Sequence, residues 1–272
     1  MKPFVTAFIG AGNLASSVIH GLLADGFDAQ SIRAADPSED TLERLRPLAL
    51  GAVDNDNRVI AQAADVVVLA VKPQRMQEVC EQLAPALHSG QAIVSVAAGV
   101  TIDSLHRWLG EDITIIRCMP NTPALLGLGA TGIYADSSVT PAHREQVERI
   151  MRAVGVARWV DTESLLHAVT AISGSGPAYF FQFMQAMIEE GQRMGLDAES
   201  ARTLCAQTCI GAGSMLMTGD ADAAQLTQRV CSPRGTTEPA VAALKQRGLA
   251  ATVSQAMQDC HARSIEMSKE LS

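Results

Sequence analysis

The sequence predicts an α/β protein, with a doubly wound parallel sheet over residues 1–161 and an all-helical domain over residues 162–272. Three observations predict it. Short apolar runs alternate with stretches of helical periodicity through the first part of the chain. One of those runs, Asp65–Val71 (DVVVLAV), is apolar throughout, as a parallel strand covered on both faces requires. From about Glu163 onward only helical periodicity remains. Strand–helix alternation of this length points to a doubly wound sheet, and the change of rhythm to a second domain.

Taken in order, Phe4–Ile9 is a short apolar strand and Leu14–Leu23 repeats apolar residues at helical spacing. Ser31–Ala35 reads as a second strand and Ser38–Leu48 as a helix opened by Pro37. After the DVVVLAV strand come helix Gln74–Leu87, strand Ala92–Val96, helix Ile102–Leu109 and strand Thr114–Arg117. Two further strands, Gly132–Ala135 and Val156–Val160, flank a helix that begins after Thr140-Pro141. The second half gives helices at Leu165–Ile172, Ala178–Met194, Ala198–Met217, Ala223–Val230, Pro239–Arg247 and Leu249–Ser268. Phe180, Phe181, Phe183, Met184, Met187 and Ile188 make one of them apolar on more than one face. So much apolar surface predicts packing against another subunit. Gly191, Gly195, Gly211 and Gly213 fall inside helical pattern, where they cost stability unless they let helices approach closely.

Composition narrows the function classes. A net charge of −8, shared by both halves, gives phosphate backbones no basic stripe and argues against nucleic acid. The six cysteines form no C-x-x-C pair and no Cys/His spacing suited to zinc, so no metal site is expected. Cys205 and Cys209, one helical turn apart, read as two packed thiols. Met1-Lys2-Pro3 leads directly into a strand without a signal-peptide stretch, and no apolar run approaches a membrane span. The expectation is a soluble, reduced, cytoplasmic protein.

The strongest local signal is Gly10-Ala11-Gly12-Asn13-Leu14-Ala15, straight after the first strand and opening the first helix. In that place Gly10 permits a tight turn, Gly12 lets the backbone approach a pyrophosphate, and Ala15 lets helix pack on strand. The helix N-terminus then offers unpaired N–H groups to the phosphates. Asp36 stands 21 residues after Ala15 at the end of the second strand. It is open to two readings: an acceptor for the adenosine ribose hydroxyls, favouring NADH and repelling a 2′-phosphate, or a cap for the helix after Pro37. Lys72-Pro73 and Ala97-Ala98-Gly99 follow strands at the edge where open α/β sheets bind ligands. Lys72 is placed for a ribose or phosphate contact, with an ordinary surface lysine as the alternative. Cys118-Met119-Pro120-Asn121-Thr122-Pro123 reads either as a rigid loop beside the pocket or as plain loop rigidity. In the helical half, Ile172-Ser173-Gly174-Ser175-Gly176-Pro177-Ala178 and Ser232-Pro233-Arg234-Gly235-Thr236-Thr237 are polar loops before helices. Each fits an anion held by backbone N–H groups, or a helix cap alone.

Together these motifs make the chain resemble pyrroline-5-carboxylate reductases from end to end. The matches are FIGAGNLA, LAVKPQ, VSVAAGVTI, IRCMPNTPA, SGSGPAYFF and the V-x-SP-x-GTT turn, in that order. The resemblance implies a Rossmann-type first domain and an all-helical dimerisation domain. It also implies reduction of 1-pyrroline-5-carboxylate to L-proline by NAD(P)H, the last step of proline biosynthesis, in a homodimer or larger assembly. By correspondence, Gly10, Gly12, Asn13, Leu14, Asn57, Val71, Lys72 and Ala98 touch the dinucleotide. Ala11, Asp36 and Pro73 join them from their own placement. Glu163, Gly235, Thr236 and Thr237 line the substrate site, with Ser232 in the same turn and Thr237, the candidate catalytic residue, nearest the imine nitrogen.

Two departures stand out. Arg234 occupies a position usually held by glycine in the family, which either adds a cation for the substrate carboxylate or points to solvent. Asp36 replaces the small hydroxyl residue of NADPH-preferring members, so NADH competes with the usual NADPH. The nearest rivals are a reductase of another cyclic imine and a β-hydroxyacid dehydrogenase. The latter carries a catalytic lysine and an asparagine at places that hold Phe180 and Met184 here, and phenylalanine has no proton to give a carbonyl. Lys245, Lys269, His167 and His261 of the helical half read as surface or helix-face residues. A non-catalytic nucleotide sensor would keep the first-half motifs without needing the Ser232–Thr237 turn.

Overall fold

The computed structural model describes residues 3–271. The reading of Met1 and Lys2 as a lead into a strand lies outside the described residues. The chain folds as β1 (Thr6–Ile9), α1 (Asn13–Ala24), β2 (Ile32–Ala35), α2 (Glu39–Leu45), β3 (Ala52–Asp54), α3 (Asn57–Ala61), β4 (Val66–Leu69) and α4 (Met76–Leu83). It continues through β5 (Ala92–Ser95), α5 (Ile102–Leu109), β6 (Thr114–Met119), β7 (Gly129–Tyr134), α6 (Pro141–Arg152) and β8 (Gly155–Trp159). The remainder is helical: α7 (Leu165–Val169), α8 (Gly176–Arg193), α9 (Ala198–Thr218), α10 (Ala223–Val230), α11 (Thr237–Gln246) and α12 (Leu249–Glu270).

The strands form one sheet in the order β3-β2-β1-β4-β5-β6-β7-β8. Its β3-to-β6 part is parallel, but β7 runs antiparallel to β6, which departs from an all-parallel expectation. The short Met119-to-Gly129 connection holds only one 3₁₀ turn, Thr122–Leu126, whereas a parallel crossover needs a dozen or more residues. Helix α6 supplies such a crossover, so β8 returns parallel to β7. The short β3 and the α3 after it have no counterpart among the predicted elements. Three half-buried residues, Ala52–Asp54, carry too little apolar pattern to register as a strand.

The DVVVLAV run serves two cores at once. Val66 and Val68 enter the core under α1 and α6, with Phe8, Ile19, Leu22 and Ile150. Val67 and Leu69 enter the opposite core under α3, α4 and α5, with Ile9, Ile60, Met76 and Leu105. A side chain of this size contributes about 1.5–3 kcal/mol on full burial, so neither face tolerates a polar substitution. Helices start where their caps dictate: Thr101 Oγ1 accepts from Ser104 N at 3.1 Å before α5, and Thr140 Oγ1 accepts from His143 N at 3.2 Å before α6.

Packing divides the chain differently from secondary structure. Residues up to Pro177, with those from Asp259 on, form one compact unit; Ala178–Gln258 form the other. The last strand ends at Trp159, shortly before the division expected at 161/162, and α7 beyond it still packs on the sheet. A Cβ on Gly132 of β7 would meet the Val169 methyls of α7 at 2.7 Å.

The second unit carries large exposed apolar residues, among them Phe180, Phe181, Leu204 and Ile210. Of its glycines, Gly191 faces α9, where an added Cβ would stand 3.6 Å from the Ala201 Cβ, while the others do not bring helices together within this chain. Gly195 ends α8 in the left-handed region at φ +104°, and Leu196 N donates to Gly191 O across that turn. A Cβ on Gly211 or Gly213 would meet open space within this chain. All six cysteines are free thiols, and Cys205 is buried with Cys209 half-buried. Burial pushes the Cys80 thiol up to about 12 and raises that of Cys118 as well, so both rest protonated. Among the described residues there is no metal-holding cluster, and no helix is long and apolar enough to cross a membrane.

Candidate active site

Strand order reverses between β1 and β4, and the glycine turn sits at that point on the carboxyl edge of the sheet. Gly10 adopts φ +86°, and a Cβ there would meet Ala70 O at 2.8 Å and the Val71 side chain at 2.9 Å. Only glycine combines that backbone with that approach. Gly12 is the N-cap of α1 and makes no side-chain cap; a Cβ on it would project into open space. The N–H groups of Gly12, Asn13, Leu14 and Ala15 have no hydrogen-bond partner among the described residues. Four unpaired donors at a helix N-terminus, beside space cleared of side chains, fit the pyrophosphate of a dinucleotide.

Ala11 behaves otherwise, because its N–H donates to Asp36 Oδ2 at 2.8 Å and its side chain is buried. Asp36 Oδ1 accepts from Ser38 N at 2.9 Å, while the N-cap position of α2 itself is Ser38. Asp36 is therefore a clasp between the glycine turn and the turn before α2. Each of its oxygens has room for a further donor. Asn57 opens α3 behind its cap Asp56, which Arg58 binds bidentately through Nε and Nη2, holding the Asp56 carboxyl down at about 2. Val71 and Pro73 are half-buried and Lys72 is exposed at the same sheet edge. Ala98 follows β5, where Ala97 and Gly99 are buried and Gly99 takes φ +78°.

Glu163 precedes α7 and is pinned through one oxygen. Arg117 Nη1 and Ile102 N both donate to its Oε1, each at 2.8 Å, and no described residue donates to Oε2. The Arg117 side chain is only 6% exposed, so this is a nearly buried ion pair whose geometry is fixed by the end of β6. Arg117 was not among the expected site residues; it lies 46 residues from its partner and inside a strand. Asn121, from the CMPNTP run, accepts from Ala130 N and donates to Ser173 O, both at 2.9 Å. It ties the β6–β7 connection to the SGSGP segment.

That segment is a correction to the predicted glycine-serine loop. Thr170–Gly174 is a π-helical turn continuous with α7, and Ser175 N donates to Thr170 O at 2.8 Å. The Gly174 backbone lies against Met119, where a Cβ would meet Cε at 2.6 Å. Its backbone donors are engaged in helix, which favours the capping and packing role over anion binding here. His167 and His261 stand on helix faces: both are half-buried, with rings edge-to-face at 6.0 Å, and His167 Nδ1 lies 2.9 Å from Ser264 Oγ.

Ser232, Gly235, Thr236 and Thr237 sit together in the second compact unit, on the turn leading into α11. Gly235 N donates to Ser232 O at 2.9 Å and Arg234 N to Glu238 Oε2 at 3.2 Å. The N–H groups of Thr236 and Thr237 and the half-buried Thr237 hydroxyl have no partner among the described residues. Arg234 is exposed at φ +61°, which explains why glycine suits this position.

Comparison with known proteins decides the family. Residues 163–267 match the family described as pyrroline-5-carboxylate reductase dimerisation, and residues 5–99 that described as NADP oxidoreductase, coenzyme F420-dependent. A curated pyrroline-5-carboxylate reductase from Pseudomonas aeruginosa is 48% identical, covering 97% of each chain. This chain belongs to the pyrroline-5-carboxylate reductase family. The solved structure of a pyrroline-5-carboxylate reductase from Coxiella burnetii matches with a TM-score of 0.94 at 38% identity, over 98% of this chain and 99% of that one. The Plasmodium falciparum pyrroline carboxylate reductase, solved with NADP bound, matches at 0.85 and 28%, over the same shares of the two chains. The reductase likeness thus spans both compact units of this member of the family.

Proposed function

We propose that this reductase-family chain reduces 1-pyrroline-5-carboxylate to L-proline with hydride from NADH or NADPH, as the cytoplasmic last step of proline biosynthesis. The observation that carries the reading is full-length kinship with a curated pyrroline-5-carboxylate reductase. The uncapped α1 N-terminus beside Gly12 supports the dinucleotide part of it. The homodimer is assigned to the helical unit, whose exposed apolar helices and dimerisation-family match support it.

Bound nicotinamide supplies the hydride. The chain's own residues hold, orient and shield. The amides of Gly12–Ala15 hold the pyrophosphate, and the Ala97–Gly99 edge leaves room for the ring. The free N–H groups of Thr236 and Thr237 take the substrate carboxylate, and the Thr237 hydroxyl accepts from the protonated ring nitrogen. A protonated imine is already electrophilic, so hydride reaches its carbon while the nitrogen keeps its proton and no strong acid is needed. Positioning of this kind lowers barriers by about 7–11 kcal/mol in favourable cases. Phe180 and Met184 leave the dehydrogenase rival without its proton donor, and full-length kinship favours this imine over other cyclic ones.

The functional test follows cofactor absorbance with pyrroline-5-carboxylate, other cyclic imines and hydroxyacid-derived ketones. Turnover of the first alone supports the reading, and turnover of ketones alone overturns it. Thr237→Ala is expected to lower kcat/KM by about 1–3 kcal/mol of transition-state stabilisation. An unchanged kcat/KM would remove Thr237 from its assigned role.

We further propose that NADH is the preferred donor. Asp36 places a carboxylate at the end of β2, where it accepts from ribose hydroxyls and repels a 2′-phosphate.

A further inference from the structure

The last three turns of α12 belong to the same compact unit as the sheet, and their inward face is unusual. Cys260, Ser264 and Ser268 recur every fourth residue, with the two serines 7% and 8% exposed. Small side chains on that face bring the helix close to three segments that the reductase reading uses. Cys260 Sγ lies 3.1 Å from Ser175 Oγ of the SGSGP segment. One turn on, Ser264 Oγ meets His167 of α7, the helix that starts just after Glu163. At the end of the helix, the buried Gly99 faces Met267 and Leu271. A Cβ on Gly99 would stand 3.0 Å from Leu271 Cδ1 and 3.4 Å from the Met267 Cβ.

That last contact is the informative one. Gly99 holds a left-handed φ of +78° in the loop that leaves β5 at the ligand-binding edge of the sheet. Glycine takes this backbone at little cost, and having no side chain it lets Leu271 and Met267 approach the loop directly. From one side the loop is held by β5 and the core residues Ala97 and Val100; from the other, by Leu271, which packs on that same core. We infer that Leu271, seconded by Met267, is a positioning residue for hydride transfer: it sets the height of the Ala97–Gly99 loop, and through it the nicotinamide end of the bound dinucleotide. The assignment rests on the reductase reading for its purpose and its kinetic readout, but not for its binding readout.

The test is dinucleotide binding to the full-length protein, measured by titration without substrate, together with steady-state kinetics. Leu271→Ala should weaken NADH or NADPH binding and lower kcat by roughly tenfold, short of the ~100-fold that a 1 Å misplacement can cost. The KM for the imine should stay near that of the wild type, and Leu271→Met should restore most of both losses. Gly99→Ala, which displaces the loop both by crowding Leu271 and by backbone strain at φ +78°, should give the same split between cofactor and substrate. A Leu271→Ala protein with a lower melting temperature but wild-type cofactor affinity and kcat would overturn the inference and leave Leu271 a structural residue. If Leu271→Ala fails to fold, Leu271→Val, which shortens the same contact, decides it by the same readouts. A wild-type protein that binds dinucleotide but leaves the imine unreduced would sink the reductase reading, and the binding comparison would still judge the clamp.

Discussion

Asp36 has one role in the fold and a second in the proposed function. Its hydrogen bonds to Ala11 N and Ser38 N shape the glycine turn, and the proposed NADH preference sets its charge against the ribose 2′ position. A like charge about 4 Å away costs roughly 1 kcal/mol in water and about 4 kcal/mol at an effective dielectric constant of 20. Asp36→Ser should therefore shift the ratio of kcat/KM for NADPH over NADH upward by at least about fivefold. It should also lower stability, because Ala11 N loses its partner. An unmoved ratio would show that Asp36 acts only as the clasp. At this scale the glycine turn was legible because a fingerprint spaces its residues within six positions. The clasp was not, since Ala11 and Asp36 meet only once β1 and β2 pair. Arg117 and Glu163 were illegible as partners for the same reason: nothing local links a strand arginine to an acid 46 residues away.

At the scale of elements, strongly periodic segments such as Ile102–Leu109 and Ala223–Val230 fold with the bounds read from sequence. Weak or mixed signals fared worse. The three-residue β3 is too short to register, the direction of β7 depends on loop length, and the glycine-serine segment continues α7 as a π-turn. The contact between α7 and α12 adds a pH dependence. His167 is half-buried and faces His261 and Ser264 of α12, Arg117 of β6, and Glu163. Burial lowers its pKa, with Arg117 and His261 acting in the same direction and Glu163 opposing them. An unfolded histidine takes up its proton near pH 6.5, so below about that value the unfolded chain binds more protons than the folded one. This contribution is therefore intact above about pH 6.5, is lost as pH falls through it, and levels off below the lower folded pKa. The melting temperature should drop between about pH 7 and 5.5, and His167→Gln should flatten that drop. A mutant with the wild-type slope would assign the effect to other groups.

For the whole molecule, the sequence already placed a sheet unit before a helical one, and full-length relatives agree. What it could not reveal is that packing returns the end of α12 to the sheet unit, because no local pattern records a tertiary partner. The helical unit leaves Phe180 and Phe181 about 60% exposed in a single chain, more than a monomer of this size keeps in contact with water. Light scattering should give at least twice the mass of one chain, and Phe181→Asp should lower that mass. A monodisperse wild-type monomer would contradict the subunit assignment. The central claim is hydride delivery from a dinucleotide to the imine carbon, and isotope transfer tests it most directly. With NADH or NADPH deuterated on the transferring face of nicotinamide C4, the account predicts one deuterium on ring carbon 5 of L-proline per cofactor oxidised. Cofactor oxidation without labelled proline, or no oxidation with either donor, would contradict it.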